Sequence, residues 1–140
     1  MKISKNYDEN DLLSKVLLMY FAFQHGSIGL FLVLESVDTL TAKSRTLKAM
    51  SQILPMDIWG IILLIAAVSF IVAVLQEGKT EYYFMILSGL AGGVTFGFLS
   101  MASMELSVNQ TNTVNYMIIA SIDFIVAVVG GVALWRRRDT

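Results

Sequence analysis

Asp123 and His25 are the residues of this chain whose chemistry is out of place in their surroundings. Asp123 is the single charged residue in the run 114–135, and His25 is the chain's only histidine, inside the apolar run 13–34. A carboxylate near the middle of an apolar helix costs roughly 2.5–3.5 kcal/mol on insertion scales, so it faces protein or water and takes a partner. If the two runs cross a bilayer in opposite directions, His25 lies 12 residues past Leu13 and Asp123 lies 12 residues before Trp135. At 1.5 Å per residue, both then sit about 18 Å from the same face. Gln24, Thr95 and Ser121 fall near that level and extend the two into a small mid-membrane polar belt. A His25–Asp123 pair has two readings. One is a hydrogen-bonded contact that sets helix register; the other is a proton or ion site, because a histidine–carboxylate pair can relay protons. The alternative is that the two residues do not meet.

Little else in the chain points to chemistry. There is no cysteine, which removes disulfides, thiolate metal sites and cysteine nucleophiles. A single histidine removes a multi-histidine zinc or haem site within one chain. No Ser-His-Asp set with supporting motifs, P-loop or Gly-x-Gly-x-x-Gly on a strand is present, and there are no paired membrane carboxylates. Met101 and Met104 form a thioether pair of the kind that binds Cu(I), but without Cys or a nearby His the expected role is packing. No enzyme activity, metal or cofactor is expected. A net charge of -1 gives no electrostatic case for nucleic acid.

Small residues form the strongest internal pattern. Gly89, Gly93 and Gly97 repeat every fourth residue, with Ser88 and Gly92 beside them; Asp123, Ala127 and Gly131 do the same later, and Gly26 and Gly29 stand in the first run. In lipid, small residues let helix backbones approach closely, and that packing drives association. The ridges either pack the helices of one chain or face another subunit. Within this region Gly92, Gly93, Thr95, Phe96 and Glu105 are similar in placement to the third helix of the small four-helix fluoride channels, which carry a GG-x-T-T-F-S-T-F run followed by an acidic residue. This chain has Thr-Phe-Gly-Phe where that core would be, lacks the family's early Gly-rich Arg-Tyr motif in its first run, and has no Asn in its second. The similarity is therefore that of a glycine-rich helix, and no fluoride site is carried over.

The elements that must position these residues follow from composition. Hydrophobic residues make up 56% of the 140-residue chain and charged residues 15%, against roughly 25% charged in a soluble domain. A hydrocarbon core of about 30 Å takes about 20 helical residues. Four runs qualify: 13–34, 58–76, 82–104 and 114–135. The expected fold is one all-α integral membrane domain over 1–140, four transmembrane helices in an antiparallel bundle. The first run exceeds the 7–15 residues of a signal-peptide core and is expected to stay as an anchor. Asn10 or Asp11, Asp57 and Thr80 are candidate N-caps, and Gly78 suits a left-handed position after the second run. Between the first two runs, Leu47, Met50 and Leu54 recur at helical spacing opposite Lys43, Arg45 and Lys48, which predicts one short amphipathic helix lying on the bilayer surface.

Orientation is read from Lys and Arg near the run ends. Lys2, Lys5, Lys15, Lys79, Arg136, Arg137 and Arg138 fall on one side, and Lys43, Arg45 and Lys48 on the other. This bias places both termini in the cytoplasm, with Arg136, Arg137 and Arg138 at lipid headgroups. A chain with few charges in its core and little mass outside the spans has helix surfaces to offer. The expected function is that of a non-catalytic accessory or structural subunit of a larger membrane complex, with partner subunits or self-association. The alternative is a self-assembling channel or pore, holin-like or a small ion channel, and behind it a proton-coupled transporter component.

Overall fold

The computed structural model describes residues 9–106 and 110–137. Lys2, Lys5 and Arg138 lie outside them, as do residues 107–109 of the loop after the third run and the side chains of Asn10 and Glu105. The described residues form six helices and no strand: α1 Glu9–Leu34, α2 Val37–Lys43, α3 Arg45–Ile53, α4 Met56–Leu75, α5 Lys79–Leu106 and α6 Gln110–Arg136. Four of them, α1, α4, α5 and α6, are long and apolar enough to cross a membrane. Each covers one of the expected runs and extends it by a polar turn at one end or both, except at the end of α1, which stops at Leu34 as expected, and of α4, which stops at Leu75. The chain's single proline, Pro55, is the N-cap of α4, where its fixed φ and missing N–H cost nothing.

Several expected helix ends are corrected. Asp57 lies inside the first turn of α4, Thr80 inside that of α5, and Asp11 within α1. The helices begin before these residues, and the Asp11 carboxylate pairs with Lys15 Nζ at 3.1 Å, one turn on. Gly78 does adopt the left-handed backbone, with φ +85, in the short link between α4 and α5.

The connection between α1 and α4 differs more. It holds two helices, broken at Ser44, whose hydroxyl accepts from Leu47 N at 3.3 Å and starts α3; Ser36 caps α2 in the same way through Thr39 N. Met50 is fully buried, and Leu47 and Leu54 pack with it against Leu32, Trp59, Leu63 and Phe96. The indole Nε1–H of Trp59 donates to Met50 O at 3.2 Å. The apolar face of α3 is thus turned onto α4 and α5 and not onto lipid, while Arg45 and Lys48 stay exposed. The reason is competition for the same face: the ends of α4 and α5 offer it a closer-packed apolar surface than a bilayer does.

Among the long helices α1 packs on α4, α4 on α5, and α5 on α6. Gly29 and Gly60 mark the closest approach of α1 to α4: a Cβ at Gly29 would lie 2.9 Å from Gly60 O, and one at Gly60 would lie 2.8 Å from Gly29 O. Two apolar clusters form the interior. One gathers Leu32, Leu40, Met50, Trp59, Phe96 and Leu99 toward α2 and α3; the other gathers Leu18, Phe21, Phe70, Ala73 and Val126 toward the far ends. His25 lies between them.

Candidate functional site

His25 stands one turn past Phe21 on α1, and its ring turns back along the helix so that Nδ1 lies 2.8 Å from Phe21 O. A carbonyl oxygen can only accept, so Nδ1 carries a proton. The other nitrogen, Nε2, lies 3.0 Å from Asp123 Oδ2 on α6, and both side chains are fully buried. Two proton placements satisfy this contact: an imidazolium donating to a carboxylate, or a carboxylic acid donating to a neutral imidazole. In both, one proton lies between Nε2 and Oδ2 and the pair is neutral overall, which is what a dry interior requires. Asp123 Oδ1 is buried with no hydrogen-bond partner among the described residues.

Three phenylalanines from three helices surround the imidazole. Ring centroids of Phe21, Phe70 and Phe96 lie 6.2, 5.3 and 5.1 Å from that of His25. They exclude water and pack their faces and edges around the imidazole. The fourth side is Gly92 of α5. A Cβ there would collide with His25 Nε2 and would lie 2.7 Å from Asp123 Oδ2, so the pair forms because this position has no side chain.

The rest of the expected belt does not join. Thr95 is buried but donates to Ala91 O of its own helix at 2.9 Å. Ser121 is exposed and donates to Met117 O at 2.7 Å. Gln24 is half-buried and makes no hydrogen bond among the described residues. Residues at one depth still point around the full circle of their helices, and in lipid a hydroxyl is satisfied most cheaply by the carbonyl one turn back. Of the polar side chains singled out, the structure brings His25 and Asp123 together.

The small-residue ridges divide. Gly89 lies against Asp123 O and Ala127, and Gly93 lies against the Phe124 ring, where a Cβ would be 3.0 Å from Cδ1. Gly97 and Gly131 have nothing within 4 Å of where a Cβ would be. The glycine of α6 that meets α5 is Gly130, with a Cβ position 3.0 Å from Tyr82 O and Met85 Cβ. A seven-residue step from Asp123 drifts about 20° from the contact face, whereas an eight-residue step turns much further away. Met101 and Met104, expected to pack, are exposed on α5. Arg136 and Arg137 are exposed at the end of α6, and the Arg137 guanidinium lies 5.2 Å over the Tyr82 ring.

Sequence reasoning did not find the phenylalanine ring set, the role of Gly92, or the Ser103–Thr113 hydroxyl pair that joins α5 to α6 at 2.6 Å. Only Phe21, four residues before His25, carries a signal in the sequence; the other contacts depend on tertiary packing.

Among the described residues, fold and site together define an all-helical membrane protein with a fully buried histidine–aspartate pair. No family model matches the chain, and no curated protein or solved structure does.

Proposed function

We propose that the protein is a small non-catalytic integral membrane subunit that acts through helix–helix association within a larger membrane complex. The observation that carries this reading is the open state of Gly97 and Gly131. Both continue ridges that elsewhere mediate close packing, yet among the described residues nothing lies within 4 Å of where their Cβ would be. They are positions where a partner helix could approach a backbone. The His25–Asp123 pair supports the same reading, because it ties α1 to α6 and both side chains are fully buried. On this proposal α1, α4, α5 and α6 form an antiparallel bundle. The contacts that support it run in opposing order: Gly26 with Ala67 and Gly29 with Gly60, Gly89 with Ala127 and Tyr82 with Gly130.

Paired substitutions test it. Gly93→Ile will lower thermal stability, because a branched side chain meets the Phe124 ring. Gly97→Ile and Gly131→Ile will leave stability unchanged and will remove the subunits seen by native mass spectrometry after gentle extraction. Retention of the full assembly in both open-site variants overturns the subunit reading. Loss of like copies alone establishes the self-assembling pore in its place.

The same proposal puts both termini in the cytoplasm, supported by the seven Lys and Arg on that side against three on the other. Reporter fusions at Thr140 and Asn109 will give opposite signals, with Thr140 internal. An external signal at Thr140 reverses the orientation.

A further inference from the structure

On the α2–α3 side of His25, a cavity of about 390 Å³ lies between α1, α5 and α6, with α2 and α3 over it. Its inner walls are apolar: Ile28 and Leu32 from α1, and Phe96 and Leu99 from α5. Two aromatic rings, Phe96 and Tyr116, belong to the lining and lie 6.2 Å apart at 35°. Among the described residues, Glu35 is the one charged residue on the lining. It is half-buried, and among the described residues it has no ion-pair partner.

We propose that this cavity binds a lipophilic organic cation, an ammonium or phosphonium carrying aromatic or alkyl groups. The volume is in the range of small-molecule sites, which are mostly apolar with a few oriented polar groups. Aromatic faces attract such cations, and their charge is diffuse enough to leave water. The half-buried carboxylate supplies the opposite charge. A metal ion would need several oxygen ligands here, and the cavity presents one carboxylate with scattered hydroxyls at its rim. An anion would meet Glu35 at close range.

Tetraphenylphosphonium and tetraphenylborate have nearly the same shape and opposite charge, and so separate charge recognition from apolar filling. With the protein in zwitterionic lipid nanodiscs, tetraphenylphosphonium will bind saturably at one site per chain, above the background of protein-free discs. Glu35→Gln, at a half-buried position just past the end of α1 with no side-chain hydrogen bond or ion pair among the described residues, will weaken that binding by about tenfold or more, the effect of one unit charge a few ångströms away at an intermediate effective dielectric. Tyr116→Leu, which keeps the apolar bulk and removes the ring, will weaken it less. Because Phe96 lines the cavity and also packs on His25, the 15N signals of the single histidine will shift on binding. Absence of saturable binding overturns the proposal. Equal binding of tetraphenylborate, or an unchanged affinity in Glu35→Gln, overturns it as well.

Discussion

Asp123→Ala and His25→Ala will each lower stability by about 3–5 kcal/mol, and the double variant will lose less than the sum. Each single change leaves a buried polar group facing its former partner across 3.0 Å with nothing to bond. The second change removes that orphan. Asp123→Asn is the informative exception. With Nδ1 committed to Phe21 O, Nε2 of the neutral ring is an acceptor, and an Asn amide placed like Oδ2 donates to it. This variant will keep most of the stability and will lose the transferable proton. Reversible unfolding in mild detergent measures the cycle, and the 15N spectrum of the one histidine reads its proton placement. Additive losses would show that the two side chains do not interact. Proton flux into liposomes that disappears in Asp123→Asn while folding persists would assign the pair a role in proton transfer.

Gly92→Ala will cost about 3 kcal/mol or more, an unusually large penalty for one methyl group. The added Cβ occupies the space of His25 Nε2 and approaches Asp123 Oδ2, so overpacking and loss of the buried pair act together. The effect depends on background. In His25→Ala the imidazole is gone, the methyl fills part of the space it vacated, and Gly92→Ala will cost much less or stabilise. A Gly92→Ala protein as stable as the parent would place α5 elsewhere relative to the pair. Gly97→Ala provides the contrast: with nothing within 4 Å, it will be neutral or slightly stabilising, since alanine is the better helix former.

What was legible in the sequence was depth; what was not was rotation. The limits of the four long helices fall within a few residues of expectation because apolar length is a one-dimensional quantity. His25 and Asp123 could be matched for the same reason, as 1.5 Å per residue converts position into height. Height does not say which way a side chain points. Thr95 and Ser121 share the level of the pair and bond to their own helices. Gly131 continues the fourfold spacing from Asp123, yet Gly130 makes the contact with α5. The amphipathic face of α3 was equally legible, but a hydrophobic face does not name what it covers, and here it covers the protein. Gly92 became a site residue only once three helices were brought together around it.

The hydrogen bond between His25 and Asp123 spans 98 positions of the chain. During synthesis α1 is made before α4, α5 and α6, so its imidazole exists before its partner does. The carboxylate arrives with α6. The contact therefore closes only after α6 has followed α1, α4 and α5, and it requires these helices to be in register. A chain that terminates before α6 retains its phenylalanines around an unsatisfied Nε2 and also leaves Gly89, Gly92 and Gly93 facing lipid. Without α6, a nitrogen that is fully buried and paired in the fold has no acceptor or donor to meet it, so the contact to Asp123 ties the polarity of α1's interior to a residue made 98 positions later.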